Sequence, residues 1–99
     1  MTIKMVKSDK KCELLIEGRL DTSTSEEAEQ IFMMAAERYE TVVLNLERMD
    51  YISSAGLRAL KRLHITMRKK EGEMILKNVN RLVMEVFEMT GFAGLFSFS

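Results

Sequence analysis

The sequence contains no proline and only five glycines, so few of its residues interrupt a chain by themselves. A cluster of small residues therefore stands out, and one occurs at 50–57, DYISSAGL. A single cysteine, Cys12, excludes an intramolecular disulfide, and the fold need not depend on an oxidising compartment. Net charge is also absent, with fifteen basic residues set against fifteen acidic ones. Nucleic-acid binders draw much of their affinity from a basic excess, so direct binding of nucleic acid is not expected. KKEGEMILK is the one stretch dense enough in lysine to suggest a local basic patch. No apolar run approaches the roughly 20 residues that cross a bilayer. The segment after Met1, TIKMVKSDKK, is too charged for a signal-peptide core. These absences point to a cytoplasmic protein without a membrane partner.

Catalytic signatures are missing as well. No GxGxxG or Walker pattern occurs. The single histidine, His64, falls on an apolar stripe, with no serine or cysteine spaced to be its nucleophile. Cys12 has no CxxC partner, which leaves no metal or redox motif. Of nine methionines, Met33, Met34, Met67, Met84 and Met89 fall on or near helical stripes, where flexible core filling explains most of them and an adaptable partner surface is the alternative. A chain of 99 residues also has little room for both a fold and a deep cleft. The expectation is one domain over 1–99, a binding module with no catalytic residue, metal or cofactor.

What is present is a regular succession of short segments. TIKMV and CELLIEG, separated by the polar SDKK, read as a hairpin. RLDTSTSEEAEQIFMMAAERYE reads as a loop and a helix. A capping box is available from Thr24 with Glu27 or Ser23 with Glu26, and Ala28, Ile31, Phe32, Ala35, Ala36 and Tyr39 form one apolar stripe. TVVLNL is a buried strand. After a short loop, SSAGLRALKRLHITMRKKEG forms a helix with Leu57, Leu60, Leu63, His64 and Met67 on one face and Gly72 as its stop. EMILKN is another strand. NRLVMEVFEMTG is a third helix, with Leu82, Val83, Val86 and Phe87 inward and Gly91 closing it, and FAGLFSFS adds a short edge strand. The order β-β-α-β-α-β-α-(β) predicts an α/β domain whose crossover-linked strands lie parallel under packed helices.

In DYISSAGL, Ser53 suits the N-cap, where its oxygen accepts an orphan backbone N–H. Ser54 then falls at the positive end of a helix, where an added phosphate gains from the dipole and free donors. Ala55 and Gly56 add almost no bulk, so a partner's active site can approach. The stretch tolerates a modified Ser54.

The run LNLERMDYISSAGLRALKRL, followed by KKEGEMILKNVNRLVMEVFEMTGF, resembles the STAS domain of bacterial anti-sigma-factor antagonists of the SpoIIAA and RsbV kind. Upstream, IEGRLDTSTSEE is similar to that family's Gly-x-Leu/Ile-Asp segment at Gly18, Leu20 and Asp21, with Thr24 shortly after. The resemblance covers nearly the whole chain. It implies a SpoIIAA-like mixed sheet with helices packed on it, and a phosphoacceptor at Ser54. Gly56 and Leu57 match the family's Asp-Ser-x-Gly-Leu motif and Ala55 fills its variable position, but Ser53 stands where the family usually has Asp. Asp21, Thr24, Ser53, Ser54, Ala55, Gly56 and Leu57 are thereby implied as partner-binding residues. The implied partners are an anti-sigma serine kinase and a PP2C-like phosphatase. Apart from the resemblance, a monomer is expected, with the tail strand as the edge open to pairing. Two other readings compete. One is a constitutive STAS subunit of a transporter or stressosome-like complex, in which Ser54 is only part of a helix start. The other is a nucleotide sensor, for which no phosphate-cradling loop is present.

Overall fold

A computed structural model describes residues 1–99. β1 (Thr2–Lys7) and β2 (Lys11–Leu20) form the expected hairpin. They are followed by α1 (Ser25–Arg38), β3 (Thr41–Asn45), β4 (Met49–Ile52) and α2 (Ser54–Lys69). The chain closes with β5 (Glu73–Lys77), α3 (Arg81–Thr90), a 3-10 turn (Phe92–Gly94) and β6 (Ser97–Phe98). The strand order is β1-β2-β3-β5-β6, antiparallel at β1–β2 and parallel elsewhere, with β4 lying off this path beside β2.

Period-two alternation decides which face of the sheet is covered. Cys12, Leu14 and Ile16 of β2, Val42 and Leu44 of β3, and Met74 and Leu76 of β5 point into one apolar core. Ala28, Phe32, Ala35 and Ala36 of α1 meet them from above, together with Leu57, Ala59, Leu60, Leu63 and Met67 of α2. The opposite face carries a polar row in which Glu13 accepts from Asn45 Nδ2 (3.1 Å) and from Lys77 Nζ (3.2 Å).

Four expectations need correction. The loop before SSAG contains a strand, β4, paired in parallel with the far end of β2 through Gly18↔Met49, Arg19↔Tyr51 and Leu20↔Ile52. It is only four residues long and buries Met49 and Ile52 while exposing Asp50 and Tyr51, so it lacks the alternation that marks a strand. No capping box forms at α1. Thr24 is the N-cap, but its hydroxyl accepts from Asp21 N and donates to Arg19 O, both over 2.9 Å, and is turned back into the preceding loop. Gly72 is not the residue that stops α2. Glu71 takes the left-handed conformation (φ 62°), whereas a Cβ on Gly72 would lie 2.5 Å from Glu40 O. Close approach to that carbonyl is what requires glycine here. Finally, Leu82 points outward at 68% exposure, leaving Val83 and Phe87 as the buried residues of α3. Gly91 does close that helix in the left-handed region (φ 84°), and the tail does add an edge strand, β6.

Candidate functional site

The two segments singled out in the sequence meet at one end of the sheet. β2 ends at Leu20 beside Ile52, the last residue of β4, and the amide of Ser53 donates to Leu20 O over 3.0 Å. The junction between β4 and α2 is thereby tied to the start of the loop that contains Asp21 and Thr24.

At the start of α2, Ser53 is extended (φ −100°, ψ 178°), and its Oγ accepts from Gly56 N over 3.4 Å. Its carbonyl accepts from Leu57 N over 2.9 Å, the first bond of the helix. These two contacts satisfy the third and fourth amides of the turn, leaving those of Ser54 and Ala55 as the donors without a helical acceptor. The first turn carries no acidic side chain, so no residue of the turn itself offsets the positive end of the helix dipole. Ser54 is exposed on this turn, while the capping role falls to Ser53.

Ala55 and Gly56 behave differently from the expectation of open space around Ser54, because both are buried, as is Leu57, which the apolar stripe of α2 already placed inward. Small size at Gly56 serves helix placement and does not clear space for a visitor. A Cβ there would lie 2.6 Å from Leu20 O and 2.8 Å from Ile52 Cγ1. The helix N-terminus is drawn against the β2–β4 pair, and only glycine permits that distance. The accessible members of the predicted set are therefore Asp21, Thr24, Ser53 and Ser54.

Asp21 organises its loop. Its carboxylate accepts from Ser23 Oγ (2.8 Å), Ser23 N (3.0 Å), Thr24 Oγ1 (3.3 Å) and Arg19 Nε (3.3 Å). These bonds, led by the Ser23 hydroxyl, hold the carboxyl below its usual range, so Asp21 is ionised. Arg19 also lies over the ring of Tyr51, 4.2 Å from its centroid, and so links the Asp21 loop to β4. Arg19 and Tyr51 are surface residues of this site that the sequence reading passed over. Tyr51 stands directly before the Ile-Ser-Ser run, yet its partner is visible only once β4 is known to pair with β2.

Chemistry elsewhere is sparse. No three His, Cys, Asp or Glu side chains converge as a metal-binding group. Burial pushes the Cys12 thiol up, away from the reactive thiolate. No helix is long and apolar enough to cross a membrane.

Comparison with known proteins agrees with this geometry. The STAS domain family model matches residues 2–99. BtrV of Bordetella bronchiseptica, which carries the name of an anti-sigma factor antagonist, is 35% identical over 97 residues, covering 97% of this chain and 84% of BtrV. Among solved structures, Bacillus SpoIIAA in its phosphorylated form superposes with a TM-score of 0.78 at 18% identity, covering 99% of this chain and 91% of that one. An anti-sigma factor antagonist from Mycobacterium paratuberculosis superposes with a TM-score of 0.82 at 21% identity, covering 98% and 83%. At those identities the solved structures establish the fold alone. With the β2–α1 loop and the Ser53–Ser54 helix start joined at one end of a SpoIIAA-like sheet, the chain belongs to the STAS domain family, as a homologue of an anti-sigma factor antagonist.

Proposed function

We propose that the protein is a cytoplasmic partner-switching regulator that binds an anti-sigma serine kinase when unphosphorylated and is released when that kinase phosphorylates Ser54. It is a monomeric substrate of the kinase and not itself an enzyme, and it needs neither a cofactor nor nucleic acid. The observation that carries this reading is the position of Ser54, exposed on the first turn of a helix whose cap is supplied by its neighbour. Its hydroxyl can leave the protein surface for a kinase active site without costing the fold a bond. BtrV, named for an anti-sigma factor antagonist, and SpoIIAA, solved in a phosphorylated form, support the same reading.

Phosphorylation places nearly two negative charges on a surface otherwise shaped for a hydroxyl. Within the domain, the positive helix end and the free amides of Ser54 and Ala55 accommodate them. At the partner interface the same charge is misplaced, and such mismatches cost several kcal/mol. Swinging a two-state equilibrium from about 1:99 to 99:1 takes roughly 5.5 kcal/mol, so one phosphate supplies much of the switch without a large conformational change. Asp21 and Thr24 stand on the adjoining loop and form the flank of the docking surface. A PP2C-like phosphatase resets it.

Intact-mass spectrometry of the protein from its native cells, beside Ser54→Ala, tests this directly. The expected result is one added phosphate that is lost in the variant. No phosphate across growth phases and stresses would overturn the switch and favour a constitutive STAS subunit, with Ser54 only part of a helix start.

A further inference from the structure

His64 is the one buried side chain of the polar or charged class in this domain, and it lies far along α2 from Ser54. It is 8% exposed, and its Nε2 is sealed from solvent with no hydrogen-bond partner. Its ring meets that of Phe96 edge-on, with centroids 5.7 Å apart. Phe96 is the one buried residue of the C-terminal segment, and it is held between His64, Phe87 and Phe92. The backbone adds little to this attachment, because β6 pairs only Ser97 and Phe98 with β5, followed by one bond from Ser99 N to Leu76 O. Segments with few buried contacts and a short ladder open before the rest of a domain does.

A neutral imidazole can leave Nε2 as a bare lone pair, but protonation puts an N–H there, and no acceptor faces it. The charged groups around the ring are Arg68 from its own helix and Glu73 from β5, while the C-terminal segment contributes Leu95, Phe96 and Ser97, none of them ionisable. Arg68 repels an imidazolium. Glu73 and Ser97 border a solvent-open cavity of about 200 Å³ at the side of His64, with the Glu73 carboxylate on its wall. A charged ring gains by turning into that space, and in doing so it leaves Phe96.

We propose that protonation of His64 releases the C-terminal segment Phe92–Phe98 from the sheet while the remainder of the domain stays folded, making this end an acid-sensitive latch. Release uncovers the β5 edge at Ile75 and Leu76, whose backbone groups are then free to pair with another strand. Burial, followed by the Arg68 charge, depresses the pKa of His64 below its ordinary 6.5. A group depressed in this way contributes its full stability above the unfolded pKa and loses it as pH falls. The opening constant therefore rises up to about tenfold per pH unit below about 6.5, and levels off beneath the folded pKa.

Amide exchange measured by NMR between about pH 7.5 and 5.5, corrected for the intrinsic pH dependence, tests the latch. The amides of Phe96 and Ser99 should lose protection as the pH falls, those of Val42–Leu44 in β3 should not follow, and His64→Phe should abolish the pH dependence. An equal loss in β3 would mean global unfolding and would overturn the proposal. So would protection at Ser99 that does not change with pH. Should His64→Phe fail to fold, the imidazole resonances of the wild-type protein decide: an ordinary titration near pH 6.5 with no change at Phe96 or Ser99 is equally fatal.

Discussion

The amide of Ser53 donates to the carbonyl of Leu20 over 3.0 Å, and this bond joins the end of β2 to the start of α2. The same carbonyl would lie 2.6 Å from a Cβ on Gly56. One backbone oxygen thus organises the site twice, by accepting a hydrogen bond and by excluding a side chain one turn further on.

Gly56→Ala tests that crowding. Alanine raises helix propensity by about 1 kcal/mol, but the new methyl meets backbone oxygen and two core side chains, and overpacking costs about 1–3 kcal/mol. The expected outcome is net destabilisation on the order of 1–2 kcal/mol, read as a lower urea midpoint with an unchanged m-value. A midpoint at or above wild type would show that the helix end is free to move outward.

Ser53 offers a second test, because two substitutions act in opposite senses. Ser53→Ala removes the cap and should cost about 0.5–1 kcal/mol, the low end of the usual range given a 3.4 Å bond. Ser53→Asp keeps an acceptor and adds a negative charge at a helix N-terminus whose first turn has no acidic side chain, contributing about 0.3–1 kcal/mol at low ionic strength. Thermal melts at low and high salt separate the two, since only the aspartate gain should shrink as salt rises.

At Ser54 stability and binding should part company. Ser54→Asp is expected to fold as well as wild type or slightly better, because its charge sits at the helix N-terminus. On the proposed function, it should bind the anti-sigma kinase encoded in the same genome at least about tenfold more weakly, which corresponds to about 1.4 kcal/mol. Titration calorimetry against that purified kinase checks this. Wild-type affinity in Ser54→Asp would place the docking surface elsewhere.

On the far face of the sheet, Glu13 carries a pH dependence of its own. The Asn45 side-chain amide, followed by Lys77, holds its carboxyl below the ordinary 4.5. A depressed carboxylate stabilises the fold above its unfolded pKa, and that contribution disappears as pH falls through the folded value. Glu13→Gln should therefore be less stable than wild type near pH 7 and close to it near pH 3, as measured by urea midpoints at both values. A constant difference between the two proteins would remove the ionic contribution.

Much of this architecture was legible from local pattern. The apolar stripe from Ala28 to Ala36 and the alternation Cys12, Leu14, Ile16 announce a helix and a strand because each follows the period of its own element. Ser53 could be assigned as a cap from its place before the stripe of α2. β4 could not be assigned that way. Its burial repeats at three residues, and its hydrogen bonds come from β2, some 30 positions earlier in the chain. The Thr24–Glu27 capping box failed for a related reason: the Thr24 hydroxyl had a choice of partners, and the turn held by Asp21 claimed it.

The sequence by itself determined the order of every element but β4, the apolar faces of α1 and α2 and the location of Ser54 at a helix start, since all of these depend on neighbours within about one or two turns. Only the tertiary structure decided which small residues face outward. Ala55 and Gly56 looked like part of an open surface beside Ser54, but both are buried, and at Gly56 Leu20 of β2 and Ile52 of β4 take up that space. The link from Arg19 to Tyr51 and the joining of the Asp21 loop to Ser53 arise from the same long-range pairing. Local propensity cannot encode such contacts, because their geometry exists only after the sheet has brought distant segments together.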